Sequence, residues 1–380
     1  MTSFYLLPEE AALYDRQLRL WGSVAQSRIR QCRVLIAPFQ GGVAIETAKN
    51  LILAGVKEVI LLDDGDVDGY SLTAGFVWRE EDVGQKRVEA AHARLSSLNP
   101  HVTITTVVKP PTAESILRFL TGSDKVLSAV VYTNSNPFSP SSLSQSSLQQ
   151  LNAECRSAKV KFHASSSQGL DGWIFQDLGD DHQFLVERKS THRDEKNAAV
   201  EKTWTELQEQ SFVPLTAALQ HDWKARNANA VKRSLKGSEN MWGTWAIWKL
   251  QESGSAQGPE DILPSTLLAT VEELMKSVKL DVNLLWSAEG IDAQKWAETF
   301  LTNALPVHPT QPADFAPTTA VLGGILSQEI LNSVGGREAP KVANWLMFYG
   351  LKGQGPVFSL GGLGAAKSKI EGSAAEVAAA

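Results

Sequence analysis

Two arginines stand among aromatic and aliphatic residues in YDRQLRLWG, which runs from Tyr14 to Gly22. Arg16 and Arg19 are three residues apart, so on a helix they share one side. Two readings follow. Either they snorkel from a surface helix with their stems on apolar neighbours, or they meet a common anion through charge-assisted hydrogen bonds. A second candidate is the glycine turn Pro38-Phe39-Gln40-Gly41-Gly42-Val43-Ala44. Backbone amides at a helix start can hold a phosphate when glycines let it come close. Here only the central glycines remain. Phe39 precedes them and Ala44 follows, and their Cβ atoms narrow the approach, which favours a purely structural turn.

Asp63, Asp64 and Asp66 come about 20 residues later, where a dinucleotide fold would hold a ribose. They read equally as polar loop residues at a strand end, and no second acidic cluster supports magnesium. The histidines are scattered without ligand spacing, so no metal site is expected. Cys32 opens an apolar run and Cys155 sits near a helix end, so both are expected to be inert scaffold thiols. There is no G-x-S-x-G elbow, no P-loop and no Cys–His nucleophile context.

These residues need a scaffold. Residues 9–31 keep helical spacing, with Gly22 a natural end to a first segment. CRVLIAPF and EVILLDD are short apolar runs that read as buried strands around the helix GGVAIETAKNLILAGV. Strand, glycine turn, helix and strand ending in an acid make the first unit of a doubly wound, mainly parallel α/β sheet. The alternation continues through VTITTVV, KVLSAVVYT and VKFHASSS, and GLDGWIFQDLG adds a strand across the glycines. VERKSTHRDEKNAAVEK is charged and poor in apolar residues, so an exposed connector is expected there. Residues 204–305 read as helical, with many tryptophans expected in the core. PADFAPTTAVLGGILSQEILNSV is a helix with a close-packing pair, Gly323 and Gly324, and NWLMFYG is a last strand. The resulting division is 1–186 for the first part of the α/β domain, 187–312 for a connector and helical insertion, 313–360 for a return to the sheet, and 361–380 for a disordered tail.

Composition excludes several classes. The net charge of −6 argues against general nucleic-acid affinity, which needs a basic face. No apolar run reaches membrane length, and the N-terminus carries an acidic pair where a secretory signal would be basic. Two cysteines fit a reducing compartment, cytosol or nucleus.

Four stretches together resemble one family. YDRQLRLWG, AKNLILAGVKEVILLDD, VGQKRVEAAHARLSSLNP and FAPTTAVLGGILSQEIL are similar to the activating enzymes of ubiquitin-like proteins. The similarity runs over about residues 10–186 and 313–358 and is weak in the helical middle. Chain length and the ending FYGLKGQG resemble the small, non-cysteine subunits of the SUMO-activating heterodimers. The resemblance implies a fold that, in the catalytic units, binds ATP and magnesium and adenylates the modifier's C-terminal glycine.

It also implies that this chain's own site is degenerate. Phe39 and Ala44 stand where active units carry glycine. Counting without gaps from Val67, Ser71 and Ala74 stand at the asparagine and arginine that grip phosphates. Asn134 stands at the magnesium-holding aspartate, and neutral Asn is a poorer ligand. ATP and Mg2+ are therefore expected in a cysteine-bearing partner subunit, not in this chain, and the isolated chain is expected to be inactive. By resemblance Arg16 reaches across the interface to that ATP, with Arg19 as possible support. The implied partners are the catalytic subunit, SUMO and, indirectly, a conjugating enzyme, with no nucleic acid and no membrane. The implied location is the nucleus, or nucleus and cytoplasm. The alternatives are a regulatory subunit for another ubiquitin-like modifier, a stand-alone NAD-linked oxidoreductase, and a homodimeric activator of sulfur-carrier proteins.

Overall fold

The computed structural model describes residues 12–121, 126–134, 137–139, 142–193, 199–223, 227–305, 314–336 and 338–372. Its first half repeats strand and helix. Helix α1 (Asp15–Ile29) leads into β1 (Arg33–Ala37), α2 (Gly41–Ala54), β2 (Glu58–Leu62), the single turn α3 (Ser71–Ala74), α4 (Arg87–Ser96) and β3 (Thr103–Val107). Helix α5 (Ala113–Thr121), β4 (Ala129–Asn134), α6 (Gln145–Ser157), β5 (Lys161–Gln168) and β6 (Asp171–Asp177) follow. The helix expected over 9–31 is broken at Gly22, whose φ of 81° leaves the helical region, and residues 9–11 lie outside the described residues.

Strands β3, β2, β1, β4 and β5 lie side by side and parallel. Beyond β5 the sheet turns antiparallel through β6, β9 (Trp345–Tyr349) and β10 (Val357–Phe358). The strand order reverses between β1 and β4, so the crevice where such sheets bind ligands lies at the ends of these two strands. The apolar runs are continuous because both sheet faces are covered. Val34, Ile36, Val59 and Leu61 point into one core; Leu35, Ala37, Ile60 and Leu62 point into the other. On the first face α2 packs against α13 (Ala316–Gly335). That packing needs Gly323, because a Cβ there would come within 2.5 Å of Glu46 Cβ.

The second core is filled by tryptophan. After the sheet come α7 (Leu215–Leu219), α8 (Ala228–Ser234), α9 (Glu239–Glu252), α10 (Pro264–Ser277), α11 (Val282–Glu289) and α12 (Ala293–Ala304). Trp242, Trp245 and Trp248 of α9 are all buried. Trp245 meets Trp345 edge-on at 5.5 Å, and Trp345 stacks on Trp173 at 5.1 Å. These rings lock the helices to β6 and β9.

Three expectations are corrected. Within the charged stretch, residues 187–193 and 199–203 are not connector but strand: β7 (His182–Arg193) pairs antiparallel with β8 (Ala199–Gln210), in register from His182↔Gln210 to Arg193↔Ala199, and residues 194–198 lie outside the described residues. Residues 204–210, read from the sequence as helical, belong to β8. Cross-strand pairs such as Arg188–Glu206 at 3.0 Å hold a ribbon that does not need an apolar face on every residue. The tail is not wholly disordered either: β11 (Lys367–Gly372) adds a third strand against β8. Residues 373–380 lie outside the described residues. No helix among the described residues is long and apolar enough to cross a membrane.

Two buried histidines, His163 and His182, make the fold pH-sensitive. His163 on β5 is fully buried, and neither ring nitrogen has a hydrogen-bond partner among the described residues. Burial, with Lys161 and His182 nearby, lowers its pKa from 6.5 to about 3. The unfolded chain therefore binds a proton that the folded chain does not, throughout the window between those values. Stability from this ring is complete above 6.5 and is lost as pH falls. Comparing wild type with His163→Leu isolates it: wild type should lose about 1.4 kcal/mol more per pH unit between pH 6 and 4. Urea unfolding of both proteins across that range measures the difference.

Candidate functional site

The crevice at the ends of β1 and β4 is closed from several sides. Gly41 has a φ of 76°, which suits glycine, and the next amide opens α2. The amide of Gly42 donates to the Asp314 carboxylate at 2.7 Å. A side chain at position 42 would meet Thr319 Oγ1 at 2.5 Å and the Ala74 carbonyl at 2.8 Å. Asp314 also accepts hydrogen bonds from the hydroxyls of Ser167 and Tyr70. Burial pushes its carboxyl above the usual range, and these donors oppose the shift. A helix N-terminus favours an anion; here the anion is the chain's own.

The residues expected to mark the degenerate site surround this plug. Phe39 is fully buried and meets Trp78 edge-on at 5.7 Å, while its amide bonds the Leu62 carbonyl at 3.0 Å. Ala44 is buried in the α2 face. Ser71 turns inward, its amide and hydroxyl both donating to Asp68 Oδ1 at 2.7 Å. Ala74 is buried beside Gly42. At the end of β4, Asn134 donates to Ser142 Oγ at 2.8 Å. The cavity beside it is about 20 Å³, lined by Tyr132, Gln168, Trp173 and Trp248 among others. That is room for about one water.

Asp63, at the ribose position, is also engaged. It accepts from Arg87 at 2.9 and 3.2 Å and from the Gly65 amide at 2.6 Å. Burial raises its pKa while Arg87 pulls it down. A Cβ at Gly65 would lie 1.8 Å from Arg87 Nη2, so the glycine makes room for this guanidinium. Asp66 is held by Lys86 at 2.7 Å, and that ammonium also donates to the Asp64 carbonyl at 2.8 Å. Among the described residues no group of three His, Cys, Asp or Glu side chains could hold a metal ion. Nor is a reactive thiol present: Cys32 and Cys155 are buried, and burial pushes Cys32 to about 11 and Cys155 higher still. At this crevice the side chains of Asp314, Ser71 and Asn134 are bonded to groups of the chain itself, while Asp63 Oδ2 is buried without a hydrogen-bond partner among the described residues.

The arginine motif lies elsewhere. Tyr14 is buried with its ring against Gly55, where a Cβ would be 2.5 Å from the phenol carbon and oxygen. Its hydroxyl accepts from Asn99 Nδ2 at 2.9 Å. Trp21 donates to Gln26 Oε1 at 2.8 Å, and Gln26 donates to the Ala54 carbonyl at 3.0 Å. Both anchors grip the C-terminal end of α2, while the glycine turn is at its N-terminal end. Fourteen helical residues separate them by about 20 Å. Arg16 is exposed, and no hydrogen bond or ion pair with a described residue holds it. Arg19 is also exposed but pairs with Asp15 at 3.0 Å. The two arginines are thus differently placed, and only Arg16 is unengaged. Leu13, Leu20 and Val24 lie exposed on the same segment.

Sequence reasoning missed Asp314, Ser167 and Tyr70. Asp314 caps a helix that begins 272 residues earlier in the chain, so no local pattern announces it. Asn99 and Gly55 were missed for the same reason.

A doubly wound sheet with a glycine turn after β1 and a C-terminal helix folded back onto it is the architecture of the ThiF family. The family's model matches residues 14–361, and the chain belongs to that family. Its relatives include SUMO-activating enzyme subunit 1 from Xenopus laevis, 32% identical over 364 residues that cover 93% of this chain and 96% of that one. The Homo sapiens protein of the same name is 30% identical over 368 residues, covering 93% and 96%. The fold matches the crystal structure of selenomethionine PaaA with a TM-score of 0.52 at 14% identity, over 94% of this chain and 84% of that one.

The plug can be tested by stability. Asp314→Ala leaves the Gly42 amide and the Ser167 hydroxyl buried without their acceptor. A loss of about 2–4 kcal/mol in unfolding free energy is expected, measured by urea denaturation.

Proposed function

We propose that this chain is the non-catalytic subunit of a heterodimeric enzyme that activates SUMO. What supports the reading is the pairing of the Asp314 carboxylate, bonded to the Gly42 amide at the start of α2, with the exposed Arg16, which has no ion pair or hydrogen bond with a described residue. Names of relatives covering 93% of the chain give the same direction.

In this reading ATP and Mg2+ bind to the cysteine-bearing partner subunit. The modifier's C-terminal carboxylate attacks the α-phosphorus there and pyrophosphate leaves. The partner's cysteine thiolate then attacks the acyl carbon of the adenylate, forming the thioester and releasing AMP, and the modifier is passed to a conjugating enzyme. This chain supplies a rigid wall and one guanidinium. Arg16 makes charge-assisted hydrogen bonds to phosphate oxygens as charge builds on them. Arg19, already paired with Asp15, gives at most secondary support.

The docking face is the outer side of α2 and α13, with the exposed residues Leu53, Phe76, Phe315 and Val321, continued by Leu13 ahead of α1 and by Leu20 and Val24 on it. Gly324 belongs to this face: nothing lies within 4 Å of its Cβ position, so a partner could approach closely. The site of action is the nucleus, or nucleus and cytoplasm.

The test is modifier-dependent ATP–pyrophosphate exchange by the chain co-expressed with a cysteine-bearing subunit. SUMO should support exchange and ubiquitin should not. Arg16→Ala should slow it about 100-fold or more while the heterodimer still elutes as one species. Unchanged exchange by that variant would remove the arginine from the mechanism; exchange with another modifier alone would reassign the pathway.

A further inference from the structure

The last carbonyls of a helix have no partner within it and carry its negative dipole end. At the end of α2 two of them are taken by side-chain amides from distant segments. Asn99 Nδ2 donates to the Ile52 carbonyl at 2.9 Å, and Gln26 Nε2 donates to the Ala54 carbonyl at 3.0 Å. Each amide then holds one end of the first segment of α1. Asn99 Nδ2 also donates to the Tyr14 hydroxyl, and Gln26 Oε1 accepts from Trp21. Gly55, at φ 80°, closes the helix and leaves the gap that the Tyr14 ring fills. Asn99 is itself fixed, because its Oδ1 accepts the His101 amide at 3.1 Å. The segment bearing Arg16 is therefore pinned at Tyr14 and at Trp21, although Gly22 uncouples it from the second half of α1.

We propose that Tyr14, with Asn99, and Trp21, with Gln26, are positioning residues: they hold Arg16 in the orientation it needs for a phosphate in the partner subunit. This rests on the proposed function above. An unpinned arginine on a short segment would lose rotational and translational freedom only on reaching its anion, and that loss opposes the reaction. The clamp removes that freedom in advance. It also assigns the apolar letters of YDRQLRLWG: Tyr14 and Trp21 bind inward so that Arg16 faces out.

A double-mutant cycle in the assembled heterodimer tests this. Tyr14→Phe keeps the ring against Gly55 and leaves Asn99 bonded to Ile52, so only the pin is loosened. Gln26→Met loosens the other end. Each should lower kcat for modifier-dependent pyrophosphate exchange about tenfold, with little change in the modifier's KM; each lost buried hydrogen bond also lowers Tm by a few degrees, equally with and without Arg16. In an Arg16→Ala background neither should lower kcat further. Equal effects on kcat with and without Arg16 would overturn the proposal, as would no effect on kcat in the wild-type background while Arg16→Ala is slow. If Arg16→Ala itself exchanges normally, the function reading fails, a result that the single variant alone reveals.

Discussion

The carboxylate of Asp314 rests on the Gly42 amide at the start of α2, buried together with the Ser167 and Tyr70 hydroxyls that also serve it. Four parts of the chain meet there: the glycine turn, the loop bearing Tyr70, the end of β5 and the approach to α13. A buried carboxylate is tolerable only with such donors, so each of these parts is held in place by the others. The contact also couples the C-terminal return to the first βαβ unit. The contact sits at a helix N-terminus, the kind of position at which such folds hold a phosphate.

Around that plug the rest of the crevice is consistent. Asp63 faces Arg87, Ser71 faces Asp68, and Asn134 faces Ser142 beside a cavity of about 20 Å³. Only one oxygen of Asp63, Oδ2, is left buried without a hydrogen-bond partner among these side chains. The opposite end of α2 has a different character. There the helix terminus is used as a platform for Tyr14 and Trp21, and Arg16 is left in solvent. One helix thus separates the buried Asp314 contact at its start from an exposed arginine beside its end.

Much of this was legible in the sequence. Continuous apolar runs such as RVLIA and EVILL read as buried parallel strands because both faces of the sheet are covered. Phe39 and Ala44, read from the sequence as narrowing the glycine turn, are both buried. The pairing of β7 with β8 was hidden because these strands are joined by backbone pairing and cross-strand charges rather than by an apolar face. The strand at 367–372 was hidden because a small-residue tail carries no pattern until a neighbour offers an edge. Asp314, Asn99 and Gly55 were illegible as site residues for a third reason. Each acts on a group brought to it only by the fold, and nothing in their own neighbourhoods signals it.

The most direct measurement of the central claim is the stoichiometry of ATP binding to the assembled heterodimer by equilibrium titration. The account predicts one ATP per heterodimer, with binding retained when Asp63 of this chain is changed to asparagine. Two ATP per heterodimer, or a single ATP lost on Asp63→Asn, would contradict it.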